Sequence, residues 1–213
     1  SSFELASYAD AEKAYSEVLK LTSTENEERA DLVENLAASI YKQGEQARKL
    51  EQYAEAADHF LRVSKAAASA KIRPNAEFDA AAVLILLKNW ERASQVLVGF
   101  REKFPQHEFN TEITKKLAVV YKESGKLLLA AAEFERIERE NHEDDGIRRE
   151  ALLEAADLYV KAESLDKALV VYQRFVGYFP QPLEFNIEIR DKIANIYQNK
   201  KDELNYTLQL RTI

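Results

Sequence analysis

Apolar residues recur along this chain at helical spacing, and they are grouped into a larger unit that itself recurs. A small residue is followed three positions on by a second core candidate. About nine residues later comes Ala, and four after that a large apolar side chain. The series reads Gly44–Ala47–Ala56–Phe60, Ala81–Leu84–Ala93–Leu97, Ala118–Tyr121–Ala130–Phe134, Ala156–Tyr159–Ala168–Tyr172 and Ala194–Tyr197–Tyr206–Leu210. First and last members stand 16 positions apart in all five, while successive units start 37, 37, 38 and 38 residues apart. All length variation therefore falls between units. Each unit predicts a helical hairpin, helix A then helix B, joined by a short polar break. Side chains at i and i+4 share a helix face, so the small residue of helix A and the Ala of helix B allow close approach, and the large residue fills the space beside them. Two packed helices cannot absorb an insertion without turning their apolar stripes apart. A loop between hairpins can.

Two inter-unit stretches are near copies: FREKFPQHEF from Phe100 and FVGYFPQPLEF from Phe175, 75 residues apart, or two periods. Phe100 and Phe175 are expected near the end of a helix B, which Pro105 and Pro180 stop by removing a backbone donor. Phe104, Phe109, Phe179 and Phe185 are expected to staple one hairpin to the next. Upstream, YADAEKAYSEVL places Ala11 and Tyr15 as another helix B. The distance from Tyr15 to Phe60 exceeds the period by eight residues, about two helical turns. The extra text, LTSTENEERADLVENL, predicts a lengthened helix A with Ser23 and Thr24 as caps. The expected organisation is helix B of a truncated repeat over 3–21, then repeats at about 24–73, 74–110, 111–148, 149–186 and 187–213. Neither end carries the polar capping repeat that a free-standing solenoid needs, so the sequence reads as a segment of a longer repeat protein.

This pattern resembles the tetratricopeptide repeat, whose signature is a Trp-x-x-Leu-Gly-x-x-Tyr helix, then Ala-x-x-x-Phe, then Pro. IYKQGEQARKLEQYAEAADHF, Ile40 to Phe60, is the best copy, and Pro105 and Pro180 fall at the family's Pro position. The family unit is about 34 residues, so these are slightly longer. The resemblance implies an all-α, right-handed superhelical solenoid of antiparallel helix pairs, with helix A lining a concave groove in which partner peptides lie. Phe-Pro junctions and the longer unit are similar to repeat proteins of the Gram-negative envelope, which implies a periplasmic setting, with the cytoplasm as the alternative.

Composition agrees with helices. There are only 5 Gly and 4 Pro in 213 residues, with 46% hydrophobic and 31% charged residues, and Ala and straight-chain residues lose least on entering a helix. The longest apolar run, Ala80 to Leu87, is eight residues, against roughly 20 for a membrane span. Acids outnumber bases 37 to 30, for a net charge of −7, which argues against a nucleic-acid surface. With no Cys there is no disulfide and no thiolate nucleophile or metal ligand. His59, His107 and His142 form no close-spaced pair. The turn Asn141 to Gly146 lacks the ligand alternation and distal Glu of a calcium loop. No phosphate loop, nucleophile elbow or HExxH is present. No cofactor and no catalytic site are expected.

The remaining candidate is the groove. Carried over by register, its lining positions in successive units are Ala38, Tyr41, Glu45, Arg48 and Lys49; Asn75, Phe78, Ala82, Ile85 and Leu86; Glu112, Lys115, Val119, Lys122 and Glu123; Glu150, Leu153, Asp157, Val160 and Lys161; and Glu188, Asp191, Asn195, Gln198 and Asn199. The second set is uncharged, with bases on either side. The partner-binding candidates are Tyr41, Arg48, Lys49, Phe78, Ile85, Leu86, Lys115, Val119 and Lys122. They would favour an apolar-anchored, acidic peptide; the competing expectation is that this apolar face packs on an N-terminal portion of the protein missing from this sequence or on a neighbouring helix. The carboxylate clamp that family members use for chaperone tails is not matched, because Tyr41 and Glu45 stand where Lys and Asn are needed. The expected function is a non-catalytic protein-interaction scaffold; the alternative is a structural segment that self-associates or braces another domain.

Overall fold

The structure is a computed structural model describing residues 2–212, with side chains from residue 7 onward. Among the described residues the chain is all α-helical: α1 (Ser2–Leu21), α2 (Arg29–Lys49), α3 (Tyr53–Ala66), α4 (Arg73–Leu86), α5 (Trp90–Lys103), α6 (Asn110–Glu123), α7 (Leu127–Glu140), α8 (Asp145–Lys161), α9 (Leu165–Tyr178), α10 (Leu183–Asn199) and α11 (Glu203–Leu210). Helix A of each unit is thus α2, α4, α6, α8 or α10, and helix B is the element after it. The chain forms two compact units, Ser1–Asn110 and Thr111–Ile213. In the first, each of α1 to α4 packs on the helix after it; in the second, each of α7 to α10 does.

The constant internal spacing has a backbone cause. Glu51, Lys88, Gly125, Glu163 and Lys201 all have positive φ, between 54° and 72°, and occupy one position in each A–B turn. Around each runs the same pair of hydrogen bonds. In the turn between α4 and α5, Asn89 N–H reaches the Leu84 carbonyl at 2.9 Å and Lys88 N–H the Ile85 carbonyl at 2.9 Å; the other four turns repeat both bonds. This is a Schellman motif, in which a left-handed residue satisfies the last carbonyls of a helix. Its final residue is also the N-cap of helix B: Gln52, Asn89, Lys126, Ser164 and Asp202. One helix ends and the next begins on shared residues, which leaves no room for an insertion.

The small residues are buried as the spacing requires: Ala81 and Ala156 are fully buried, Ala118 and Ala194 nearly so. At Gly44 there is no room for a side chain, since a Cβ there would stand 2.7 Å from the Phe60 ring, which is itself fully buried. The first unit's core gathers Leu36, Ala37, Ile40, Val63 and Ala76 with Tyr15, Leu19, Val33 and Tyr41 packed against it. In the second unit Ala118, Ile137 and Ala151 are joined by Phe134 and Ile147.

Two expectations are corrected. Helix A of the first repeat is indeed long, 21 residues against 14 in α4, but it starts at Arg29, and Ser23 and Thr24 do not cap it. The preceding stretch turns instead. Asn26 Oδ1 accepts the Glu28 N–H at 2.8 Å, and the Arg29 guanidinium donates to the Leu19 and Thr22 carbonyls at 2.9 and 2.7 Å, closing the end of α1. Phe185 is no staple; it is 57% exposed, because it lies inside the first turn of α10, whereas Phe109 precedes α6 and packs inward.

Two substitutions test this frame. Lys88→Gly removes the left-handed penalty of about 1–2 kcal/mol, partly offset by a looser unfolded chain; a net stabilisation of about 0.5–1 kcal/mol is expected from urea denaturation. Gly44→Ala improves helix propensity by about 1 kcal/mol but overpacks Phe60 at about 1–3 kcal/mol. It should therefore destabilise, and adding Phe60→Leu, the Ala/Leu combination found at Ala81 and Leu97, should recover part of the loss.

Candidate functional site

The exposed faces of the helices A carry the partner-binding candidates. In the first unit Tyr41, on α2, donates its hydroxyl to Asp79 on α4, and Arg48 Nη1 donates to Asp79 Oδ1 at 3.1 Å. Burial, and the carboxylate that accepts its proton, keep the Tyr41 phenol protonated well above the usual phenol range. The Tyr41 ring and the Arg48 guanidinium both lie on Phe60, at 5.1 and 5.5 Å. Tyr41 and Arg48 therefore hold consecutive helices A together. Phe78 is half-buried with its ring 4.6 Å from Phe109, so it belongs to the junction core as much as to the face. Ile85 is half-buried and Leu86 is 63% exposed. Lys49 is exposed and, among the described residues, has no carboxylate partner.

In the second unit Lys122 reaches Glu154 at 2.8 Å, from α6 to α8. Asp157 accepts from the Tyr172 hydroxyl and from Lys192 at 3.2 Å, linking α8 to α9 and α10. Val119 is 47% exposed, and Lys115 is exposed without a carboxylate partner among the described residues. Surface pairs of this kind contribute up to about 1 kcal/mol each. Their larger effect is that much of the expected basic flank is already matched by acids, leaving Lys49 and Lys115 as its available cations.

Sequence reasoning missed the carboxylate partners. Asp79 and Glu77 sit inside an apolar helix, AEFDAAAVLIL, and an acid interrupting such a stripe was the available signal. Glu77 is 2% exposed and accepts from Ser64 at 2.6 Å, Arg73 at 2.9 Å and Lys103 at 3.3 Å. It borders a cavity of about 530 Å³ whose walls include Arg62, Lys65 and Arg92. In the second unit buried Glu138 meets Arg148 at 3.3 Å and Arg174 at 3.6 Å, and Glu135 accepts from Tyr159 at 2.8 Å. These networks are structural, because burying a charge demands partners. The histidines do not converge. His59 Nδ1 is 2.8 Å from Arg62, and burial together with that guanidinium holds its imidazole below the ordinary value. His107 packs among Phe100, Phe104 and Phe109, and His142 is exposed. Among the described residues no cluster of ligand side chains could hold a metal, and no helix is long and apolar enough to cross a membrane.

Burial pushes the Glu77 carboxyl up, but the hydrogen bonds from Ser64 and Arg73 and the charge of Lys103 prevail and hold it below the ordinary value. Its contribution is thus present above the unfolded carboxylate pKa of about 4.3 and is lost as pH falls through the folded value. Glu77→Gln should cost about 1–3 kcal/mol at neutral pH and progressively less as the pH is lowered below the unfolded carboxylate pKa of about 4.3, read as the difference in urea midpoints.

The tetratricopeptide repeat family matches residues 150–182, from the second turn of α8 through α9 to the following junction. No curated protein matches the sequence. Among solved structures, MamA aligns at 15% identity over 81% of this chain and 88% of that chain, with a TM-score of 0.51. YrrB, described as a TPR protein with an unusual peptide-binding site, aligns at 15% identity over 82% and 83%, with a TM-score of 0.50. MamA from Desulfovibrio magneticus RS-1 aligns at 16% identity over 83% and 92%, with a TM-score of 0.49. At such identity the likeness establishes the fold. Residues 150–182 are a tetratricopeptide repeat, and the chain has the all-α fold of tetratricopeptide-repeat proteins.

Proposed function

We propose that this chain is a protein-interaction scaffold with no chemistry of its own, which holds segments of a partner protein against its helix A faces. The observation that carries this is the uncharged face of α4, where Leu86 is 63% exposed beside half-buried Ile85. Large apolar side chains left in water on a folded surface mark a contact. In the first unit Ile85 and Leu86 serve as the apolar anchors and Lys49 as the cation, with Tyr41, Arg48 and Phe78 shaping the face from beneath. In the second unit Val119 is the apolar contact and Lys115 the cation, with Lys122 held by Glu154. The available lysines favour an acidic segment, and in the resembled family such faces bind peptides. YrrB, a TPR protein with an unusual peptide-binding site, is in keeping with this reading.

A second reading has its own observation. Leu204 and Leu208, four apart on α11, are 72% and 49% exposed, and Leu210 is 46% exposed. Residues at i and i+4 form one face, so α11 offers a stripe through which copies of the chain could stack.

Leu86→Asp and Val119→Asp alter exposed positions and should leave the circular dichroism spectrum and urea midpoint unchanged. Quantitative affinity capture should then show a specific partner retained by the wild type and lost, at least tenfold, in one or both variants. If partner capture is unaffected by both, the helix A faces are not the working surface. Self-association that disappears in Leu204→Asp/Leu208→Asp, measured by sedimentation velocity, supports the stacking reading in its place.

A further inference from the structure

The two copied junctions share one lock and differ in what fills the space beside it. In the first, Phe104 caps α5, and Asn110 Nδ2 donates to the Phe104 carbonyl at 2.7 Å. In the second, Phe179 caps α9, and Asn186 Nδ2 donates to the Phe179 carbonyl at 3.0 Å. The Phe before each Asn, Phe109 or Phe185, is therefore the same position in the motif. In the first junction Phe109 lies 4.6 Å from both Phe78 and His107 and 6.3 Å from Phe100, so three rings close the space over Phe100. The second junction has one residue more between Pro and Phe, and its helix starts earlier, at Leu183. Phe185 consequently falls within α10 and is 57% exposed. Leu153 stands at the position of Phe78, and Pro182 lies where His107 contributes its ring. What remains is a cavity of about 280 Å³ bounded by Leu153, Phe175, Phe179, Pro182 and Phe185, with Arg149 and Glu150 at its edge.

Arg149 adds a polar requirement. Its guanidinium lies 4.9 Å over the Phe179 ring, its Nε is buried without an acceptor, and among the described residues no carboxylate pairs with it. Such an unsatisfied donor is costly in a folded protein and gains from an incoming acceptor. Glu150 is exposed at the rim, so the acceptor belongs on the Arg149 side.

We propose that this cavity in the second unit is a docking pocket for one aromatic side chain of a partner polypeptide that carries a carboxylate beside it. The aromatic ring takes the place that Phe109 occupies in the first junction, and the carboxylate pairs with Arg149. The inference rests on the scaffold reading but not on its assigned anchors: Glu150 and Leu153 are groove positions of α8, yet none of the pocket's residues is among the anchors assigned there.

The probe is an acetylated, amidated pentapeptide, Gly-Asp-Phe-Asp-Gly, titrated into the full chain and followed by the backbone amide resonances of Gly146 and Gln181. Saturable shifts are expected with wild type. Replacing the peptide's Phe by Ala, or both Asp by Lys, should weaken binding at least about tenfold, a change worth about 1.4 kcal/mol. Leu153→Phe, which restores the residue found at Phe78, should fill the pocket and weaken binding to the same degree. Should that variant lose its helical circular dichroism, Arg149→Gln, which removes only the charge, should give the same weakening. The absence of saturable shifts in wild type overturns the proposal, as does equal binding by the Ala peptide or by Leu153→Phe. Loss of peptide binding in Leu86→Asp with retention in Leu153→Phe would also overturn it and return the peptide to the helix A face. Failure of the pocket leaves the partner-capture test unaffected, so the two readings fail separately.

Discussion

The structure depends first on how closely helix A approaches helix B within each pair. At Gly44 the approach leaves no room even for a methyl group beside Phe60, and the other pairs place a buried Ala at the same point. Such packing tolerates no rotation of either helix, and the turn joining them is built to the same tolerance. A left-handed residue and two crossed hydrogen bonds finish helix A, and the residue that completes them is already the N-cap of helix B. Four of the five turns hold a non-glycine residue in this conformation. That local strain persists only because the packed helices determine the turn, and not the reverse.

With the hairpin rigid, variety moves to the faces and the junctions. On the helix A faces, carboxylates tie neighbouring helices: Asp79 with Tyr41 and Arg48, Glu154 with Lys122, Asp157 with Lys192. Acids that look in the sequence like a solvated surface thus serve as cross-links between repeats. The helix A surface that results is less charged than its composition suggests. Its distinctive part is apolar, at Leu86 and Val119. A partner would gain most from desolvating those side chains, while the lysines steer its approach.

The junctions show how one motif can serve two ends. The Asn lock between Asn110 and Phe104, or Asn186 and Phe179, satisfies the last carbonyl of helix B in both copies, while the next helix A begins at the lock residue in one and three residues before it in the other. One added residue in the second copy leaves that lock intact while it carries the following Phe onto a helix face. Phe109 lies just before α6 and Phe185 inside the first turn of α10, so the earlier start of the helix turns a core ring into a surface ring. The family match at residues 150–182 ends at this junction.

The sequence by itself determined the helices, their pairing and the close approach within pairs. These follow from periodic apolar positions, from small residues at fixed spacing and from the rarity of Gly and Pro, all of which act locally. It also marked Phe104 and Phe179 as junction residues. It did not determine which face residues are free to bind. Tyr41 and Arg48 became cross-links and Phe78 became partly core, because their partners Asp79 and Phe109 lie more than thirty positions away and are brought near only by stacking. Nor could it separate Phe109 from Phe185, whose flanking residues are nearly identical. Their fates depend on where the next helix begins, at Asn110 in one junction and three residues before Asn186 in the other, and that is a property of the folded junction and not of the residues beside each Phe.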